Sequence, residues 1–178
     1  KEEKMLAFGM NPDDNEANVV AIDGEPVTFA VDTGTVSQIA PDGSVWSLVD
    51  GDLRRTSSTA TQNEPIGVFG AALSLVGNSP FVLDAANSRA RFGNGSWQDL
   101  PTTADASEMV VQVPGPPADC GWVGANDDLW CVSAGGIEES VNIAGLDING
   151  PDFLAIAGDA AALVRRGPTS IVRFDWHS

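Results

Sequence analysis

The stretch from Gln38 to Arg55 constrains the fold more than any other part of the chain. It contains Ile39-Ala-Pro41-Asp42-Gly43-Ser-Val-Trp46-Ser-Leu-Val-Asp50-Gly51-Asp-Leu53, in which two tight turns separate three short segments. Proline presets the first turn dihedral, and glycine accepts the positive φ that a tight hairpin requires. From Val19 onward short apolar runs alternate with Gly, Asp, Asn and Pro, the pattern of an all-β domain. The best helix candidate, Asp159–Leu163, is hemmed in by Gly158 and Gly167 and suits a strand better.

Related units recur downstream. After Asp42-Gly-Ser-Val-Trp46-Ser-Leu48 come Gly77-Asn-Ser-Pro-Phe81-Val-Leu83, Asn126-Asp-Asp-Leu-Trp130-Cys-Val132 and Gly158-Asp-Ala-Ala-Ala162-Leu-Val164. Trp46 to Phe81 is 35 residues, Phe81 to Trp130 is 49, and Trp130 to Ala162 is 32. A period of about 40 with four short strands per unit is the spacing of β-propeller blades. One four-stranded sheet cannot bury both of its faces alone, whereas sheets stacked side by side bury them in series, with Trp46, Phe81 and Trp130 as the core of the repeat. The longest interval holds Asp105–Asp119, where Pro114-Gly-Pro-Pro117 indicates a long loop. The expected fold is all-β, a β-propeller or partial propeller of about four repeat units. A β-sandwich of eight or more strands is the alternative, and the repeat favours the propeller. Residues 1–17 form a polar lead-in to a single domain spanning 18–178.

Pro41-Asp-Gly-Ser-Val-Trp46 and Gly93-Asn-Gly-Ser-Trp97-Gln-Asp-Leu-Pro101 resemble blade motifs of bacterial extracytoplasmic β-propellers. Val19–Trp176 as a whole resembles the propeller region near the start of large actinobacterial surface proteins that carry Ig-like or fibronectin-like modules. The resemblance implies the architecture; the function expected of such a module is a non-catalytic scaffold or recognition role, secreted or at the cell surface. Its partners would be other protein domains or subunits, or a glycan, with no cofactor.

Charge narrows the partners further. The chain has 25 acidic residues against 9 basic ones, a net charge of −16. That field repels phosphate backbones and anionic lipid surfaces, so nucleic acid and membrane are both disfavoured. No run approaches the ~18 apolar residues of a membrane-crossing helix. Lys1 stands where an initiator Met would, the expected mark of a processed end, with room for a signal or anchor upstream.

Cys120 and Cys131 flank Gly121–Trp130. A hairpin centred on Ala125-Asn126 sets them directly opposite each other, within reach of a cross-strand disulfide worth about 2–3 kcal/mol. Two thiolates with no further Cys and no nearby His make a poor metal site. Phe29-Ala-Val-Asp32-Thr33-Gly34-Thr35 resembles the active-site motif of aspartic proteases, which would make Asp32 one carboxyl of a proton-sharing dyad. No second Asp-Thr-Gly or Asp-Ser-Gly occurs, so this alternative requires a homodimeric, retropepsin-like enzyme; the other reading is an ordinary turn closing a strand. Asp147, Asn149 and Asp152, and the run Asn11–Asn15, carry oxygen ligands at loop spacing compatible with structural calcium, though without the helix–loop–helix pattern. Asn94-Gly-Ser96 fits the glycosylation triplet but suits a bare hairpin turn. Trp46, Trp97, Trp122, Trp130 and Trp176 serve either as packing between sheets or as a sugar-stacking platform. The single His, His177, is one residue from the end and in no position to serve a triad.

Overall fold

The computed structural model describes residues 6–11, 16–21, 27–30, 36–57, 59–102, 109–112, 120–142, 145, 153–157, 160–166 and 169–175. Among these, strands are organised in five sheets. Leu6–Asn11 (β1), Glu16–Ala21 (β2) and Val27–Ala30 (β3) make the first sheet. The second contains Val36–Ile39 (β4), Val45–Val49 (β5), Asp52–Thr56 (β6) and Thr61–Pro65 (β7). Ala72–Val76 (β8), Ser79–Asp84 (β9), Arg89–Phe92 (β10) and Gln98–Asp99 (β11) make the third. The fourth contains Met109–Gln112 (β12), Gly121–Ala125 (β13), Asp128–Ser133 (β14) and Gly136–Asn142 (β15). Phe153–Ala157 (β16), Ala160–Arg166 (β17) and Thr169–Asp175 (β18) complete the set. The strands of each sheet pair in chain order, so every sheet is a meander. The protein is all-β, and its one helical element among the described residues is a single 3-10 turn at Ala85–Asn87.

The turns form for reasons visible in their residues. Between β4 and β5, Gly43 adopts φ 81° and donates its N–H to the Ala40 carbonyl at 2.8 Å. Asp42 closes the same turn by accepting the Ser44 N–H at 2.9 Å and the Ser44 hydroxyl at 2.6 Å. Between β5 and β6, Asp50 and Gly51 take φ 50° and 84°, the two positive values of a two-residue hairpin turn with favourable twist.

The chain divides into two compact units, Lys1–Leu73 and Ser74–Ser178, where the sequence suggests a single domain from residue 18. The presumed lead-in is itself structured: β1 and the first residues of β2 lie within 1–17 and pair from Leu6↔Ala21 to Asn11↔Glu16. Alternation is short there, and the polar Asn11–Glu16 run masks a hairpin. Likewise β12 falls inside Asp105–Asp119, where the apolar Met-Val-Val of residues 109–111 outweighs the prolines that follow.

Burial runs unbroken through long stretches of β9, β13 and β14, whereas β5, β6 and β10 mix buried and half-buried residues. Pro80 to Asp84 are buried without a break, as are Gly121 to Ala125 and Leu129 to Ser133. The last strands β7 and β15 are mostly exposed. A strand whose neighbouring residues point to opposite faces and are all buried is covered on both sides. In the second unit part of that cover comes from the next sheet, since β10 packs against β14 and β12 lies beside β16.

The aromatic residues of the expected repeat do not share one place in their sheets. Trp46 and Phe81 each lie four residues before the turn that ends the second strand of their sheet. Trp130 does not: it lies in β14, a third strand, and the matching place in β13 is Trp122. In β17 it is Leu163, one residue past Ala162. The intervals thus become 35, 41 and 41 residues. Asn126-Asp-Asp has the composition of either hairpin turn in a sheet, so residue type alone does not say which of the two it forms.

The cysteines are joined, Cys120 to Cys131, with Cα atoms 5.6 Å apart. Their register differs from the expectation. The turn centres on Asn126-Asp127, with Asn126 at φ 55°, and pairs Trp122 with Cys131. Asn accepts the left-handed conformation that Ala125 would resist, so the turn starts one residue later and the pairing slips by two. The disulfide therefore runs diagonally, between positions two residues out of register.

Candidate functional site

The described residue that stands out on the surface is Phe69, 75% exposed. It belongs to Ile66-Gly-Val-Phe-Gly70, the connection that follows β7, with Gly67 and Gly70 at φ 66° and 71°. The two glycines let the chain turn on either side of Val68-Phe69, burying Val68 and displaying Phe69. The loop is tied to the β5–β6 turn, because the N–H groups of Ile66 and Gly67 both donate to the Gly51 carbonyl, at 3.0 and 2.8 Å. The tip of the Phe69 ring rests on Gly51, so close that a Cβ there would lie 3.0 Å from Cζ. Gly51 thus serves twice, supplying a positive φ and leaving room for the ring.

Beside the ring is a cleft of about 120 Å³ lined by Leu48, Asp50, Gly51, Val68, Phe69 and Ala71. Asp50 is exposed at its mouth. Isolated exposed apolar side chains are ordinary on protein surfaces. Phe69 differs in being held by two backbone hydrogen bonds and fitted onto a glycine.

The tryptophans are committed elsewhere. Trp122 and Trp130 are buried. Trp46 is half-buried and carries the Arg55 guanidinium 5.8 Å from its ring centre, while Arg89 sits 4.5 Å over Trp97. A sugar-stacking platform wants open indole faces, and these pairs occupy one face of each ring. Both cations are also held from below. Arg55 forms an ion pair with Asp42 at 2.5 Å and donates Nε to the Ser44 hydroxyl at 3.1 Å. Burial opposes ionisation of Asp42, but Ser44, through its hydroxyl and backbone N–H, and then Arg55 outweigh it and hold the carboxyl below its ordinary value. Arg89 pairs with the buried Asp84 at 2.8 Å, and Asn87 donates to the same oxygen at 2.8 Å. Arg91, two residues along β10 from Arg89, is buried.

Asp32, the calcium candidates Asp147, Asn149 and Asp152, His177 and Trp176 lie outside the described residues. Among the described residues no three His, Cys, Asp or Glu side chains gather as a metal site, and no helix is long and apolar enough to cross a membrane. Asn94 is exposed in the turn after β10, where Gly95 donates to the Phe92 carbonyl at 3.0 Å. Phe69 belongs to none of the sequence motifs above. Its signal is the apolar pair bracketed by Gly67 and Gly70, but which member faces solvent depends on the hydrogen bonds to Gly51. No protein-family model, curated protein or solved structure matches this chain.

Proposed function

We propose that this chain is a non-catalytic recognition module of a bacterial surface assembly, acting outside the cytoplasm and built of propeller-type blades. It binds a protein partner through the loop that carries Phe69. Three features support the blade architecture over a two-layer sandwich: meanders in chain order, unbroken burial along β9, β13 and β14, and a hydrophobic residue recurring before the second turn at 35, 41 and 41 residues. A sandwich sheet keeps one face in water and alternates accordingly. A disulfide between neighbouring strands is favoured in an oxidising compartment, which supports a place outside the cell.

The observation that carries the binding role is Phe69, an exposed aromatic on a hydrogen-bonded loop. Aromatic side chains are enriched at protein interfaces, and covering a Phe ring contributes about 1.5–3 kcal/mol. The Arg-covered tryptophans favour a protein partner over a glycan. The test is photo-crosslinking on the source cell surface, with a benzophenone amino acid at position 69 and, as control, at the exposed Gln62 of β7. The expected result is a protein adduct from position 69 and none from 62. Equal labelling from both sites removes the reading. So does acid peptide cleavage that disappears in Asp32→Asn, which would transfer the chain to the aspartic proteases.

A further inference from the structure

We infer that the cleft between Asp50 and Phe69 is a subsite for a single cationic side chain, Arg or Lys, presented by the protein partner; this deepens the recognition role proposed above and rests on it. Size comes first. At about 120 Å³ the cleft is well below the ~300 Å³ at which small-molecule pockets begin, and it equals roughly four waters. It suits the head of one side chain better than a whole small molecule.

Charge then selects the head group. Asp50 stands at the mouth in a left-handed conformation with φ 50°, and among the described residues its carboxylate has no hydrogen-bond partner. An apolar side chain seated here would strip water from that carboxylate and give nothing back. An anion would be repelled by it. A guanidinium or ammonium pairs with Asp50 and lies against the aromatic ring, which attracts cations through its quadrupole. The net charge of −16 draws such a partner in from a distance. The seat is prepared: Gly51 fixes the tip of the ring, and its carbonyl holds the loop that bears it.

The test uses the full chain, labelled with ¹⁵N, and two peptides at about 150 mM salt, where long-range attraction is screened. One is acetyl-Gly-Arg-Gly-amide; the other carries citrulline, the uncharged isostere of arginine. The Arg peptide is expected to shift the amides of Asp50, Gly51, Phe69 and Gly70, and the citrulline peptide is not. Asp50→Asn, which keeps a residue tolerant of positive φ, should weaken Arg-peptide binding about threefold to fivefold. Asp99→Asn, at an exposed carboxylate on β11, should leave it unchanged. Shifts spread over the acidic surface, equal response to both peptides, or equal effects of the two substitutions each overturn the subsite. Crosslinking from position 69 with a failed titration leaves the partner surface standing and removes its cation preference. A successful titration without crosslinking keeps the preference and removes the partner role.

Discussion

Phe81 and Gly121 bring two consecutive sheets into close contact: a methyl group on Gly121 would overlap Cγ, Cδ1 and Cδ2 of the Phe81 ring. Phe81 lies in β9 and Gly121 in β13, both second strands, and both residues are buried. The glycine is not required by its backbone, whose φ is outside the left-handed region. It is required by space. A hydrophobic ring on one sheet and a bare backbone on the next is a simple way to bring two twisted sheets together without a void.

Gly121→Ala should therefore cost about 1–3 kcal/mol, the usual penalty for overpacking a core that cannot yield. Urea denaturation of the single and double mutants with Phe81→Leu checks the cause. The smaller side chain should relieve the added methyl, giving a favourable coupling between the two changes. A neutral Gly121→Ala, or strictly additive effects, would contradict the close approach.

Turn chemistry made much of the architecture legible. Pro41-Asp-Gly and Asp50-Gly51 announce their hairpins because only certain residues accept those dihedrals, and the all-β class follows from their frequency. Register was harder. The choice between Ala125 and Asn126 as first turn residue moves every pair in β13 and β14. Trp130 exchanges places with Trp122 for a separate reason, that Asn126-Asp-Asp has the composition of either hairpin turn in a sheet. Burial of Arg91 was illegible too, since Arg89-Ala-Arg91 has the alternation of a half-solvated strand and only a sheet packed on its other face changes that. Phe69 depends on hydrogen bonds to a carbonyl fifteen or more residues earlier, which no local pattern records.

Asp84 is buried and its charge is met by Arg89, itself stacked on Trp97. Arg89→Met removes the cation and leaves the Asn87 amide as the donor to that oxygen, so stability should fall by about 1–3 kcal/mol. Adding Asp84→Asn should recover part of the loss, because the stranded carboxylate goes with it. Chemical denaturation of the three variants reads this directly. Equal losses in the single and double mutants would mean the pair is not coupled.

Asp42 gives a pH dependence whose sign is fixed. Its folded carboxyl titrates below the ordinary value of 3.8, against the opposing effect of burial, because Ser44 and Arg55 bind the ionised form. The folded state therefore binds the proton less readily than the unfolded state. Its contribution is complete above the unfolded value and is lost as pH falls from there through the lower folded value. Urea midpoints of the native chain and of Asp42→Asn should differ most near neutral pH and converge in acid. The gap will be small, since both partners are about one-third exposed and surface pairs are screened. A difference that widens in acid would reverse the assignment.

The disulfide closes a short loop, its cysteines 11 residues apart, so the chain entropy it removes from the unfolded state sets its worth at about 2–3 kcal/mol. Both cysteines are fully buried between strands whose residues are buried throughout. A reductant cannot reach the sulfurs while β13 and β14 stay paired, so reduction has to wait for that hairpin to open. Dithiothreitol should therefore act slowly in native buffer, and its rate should climb with added urea in step with unfolding. Once reduced, the chain should show an unfolding free energy lowered by about that amount, read from its denaturation curve. Fast reduction without denaturant, followed by mass spectrometry of alkylated Cys120 and Cys131, would mean that the hairpin opens on its own and that its register is held by something other than the sheets on either side.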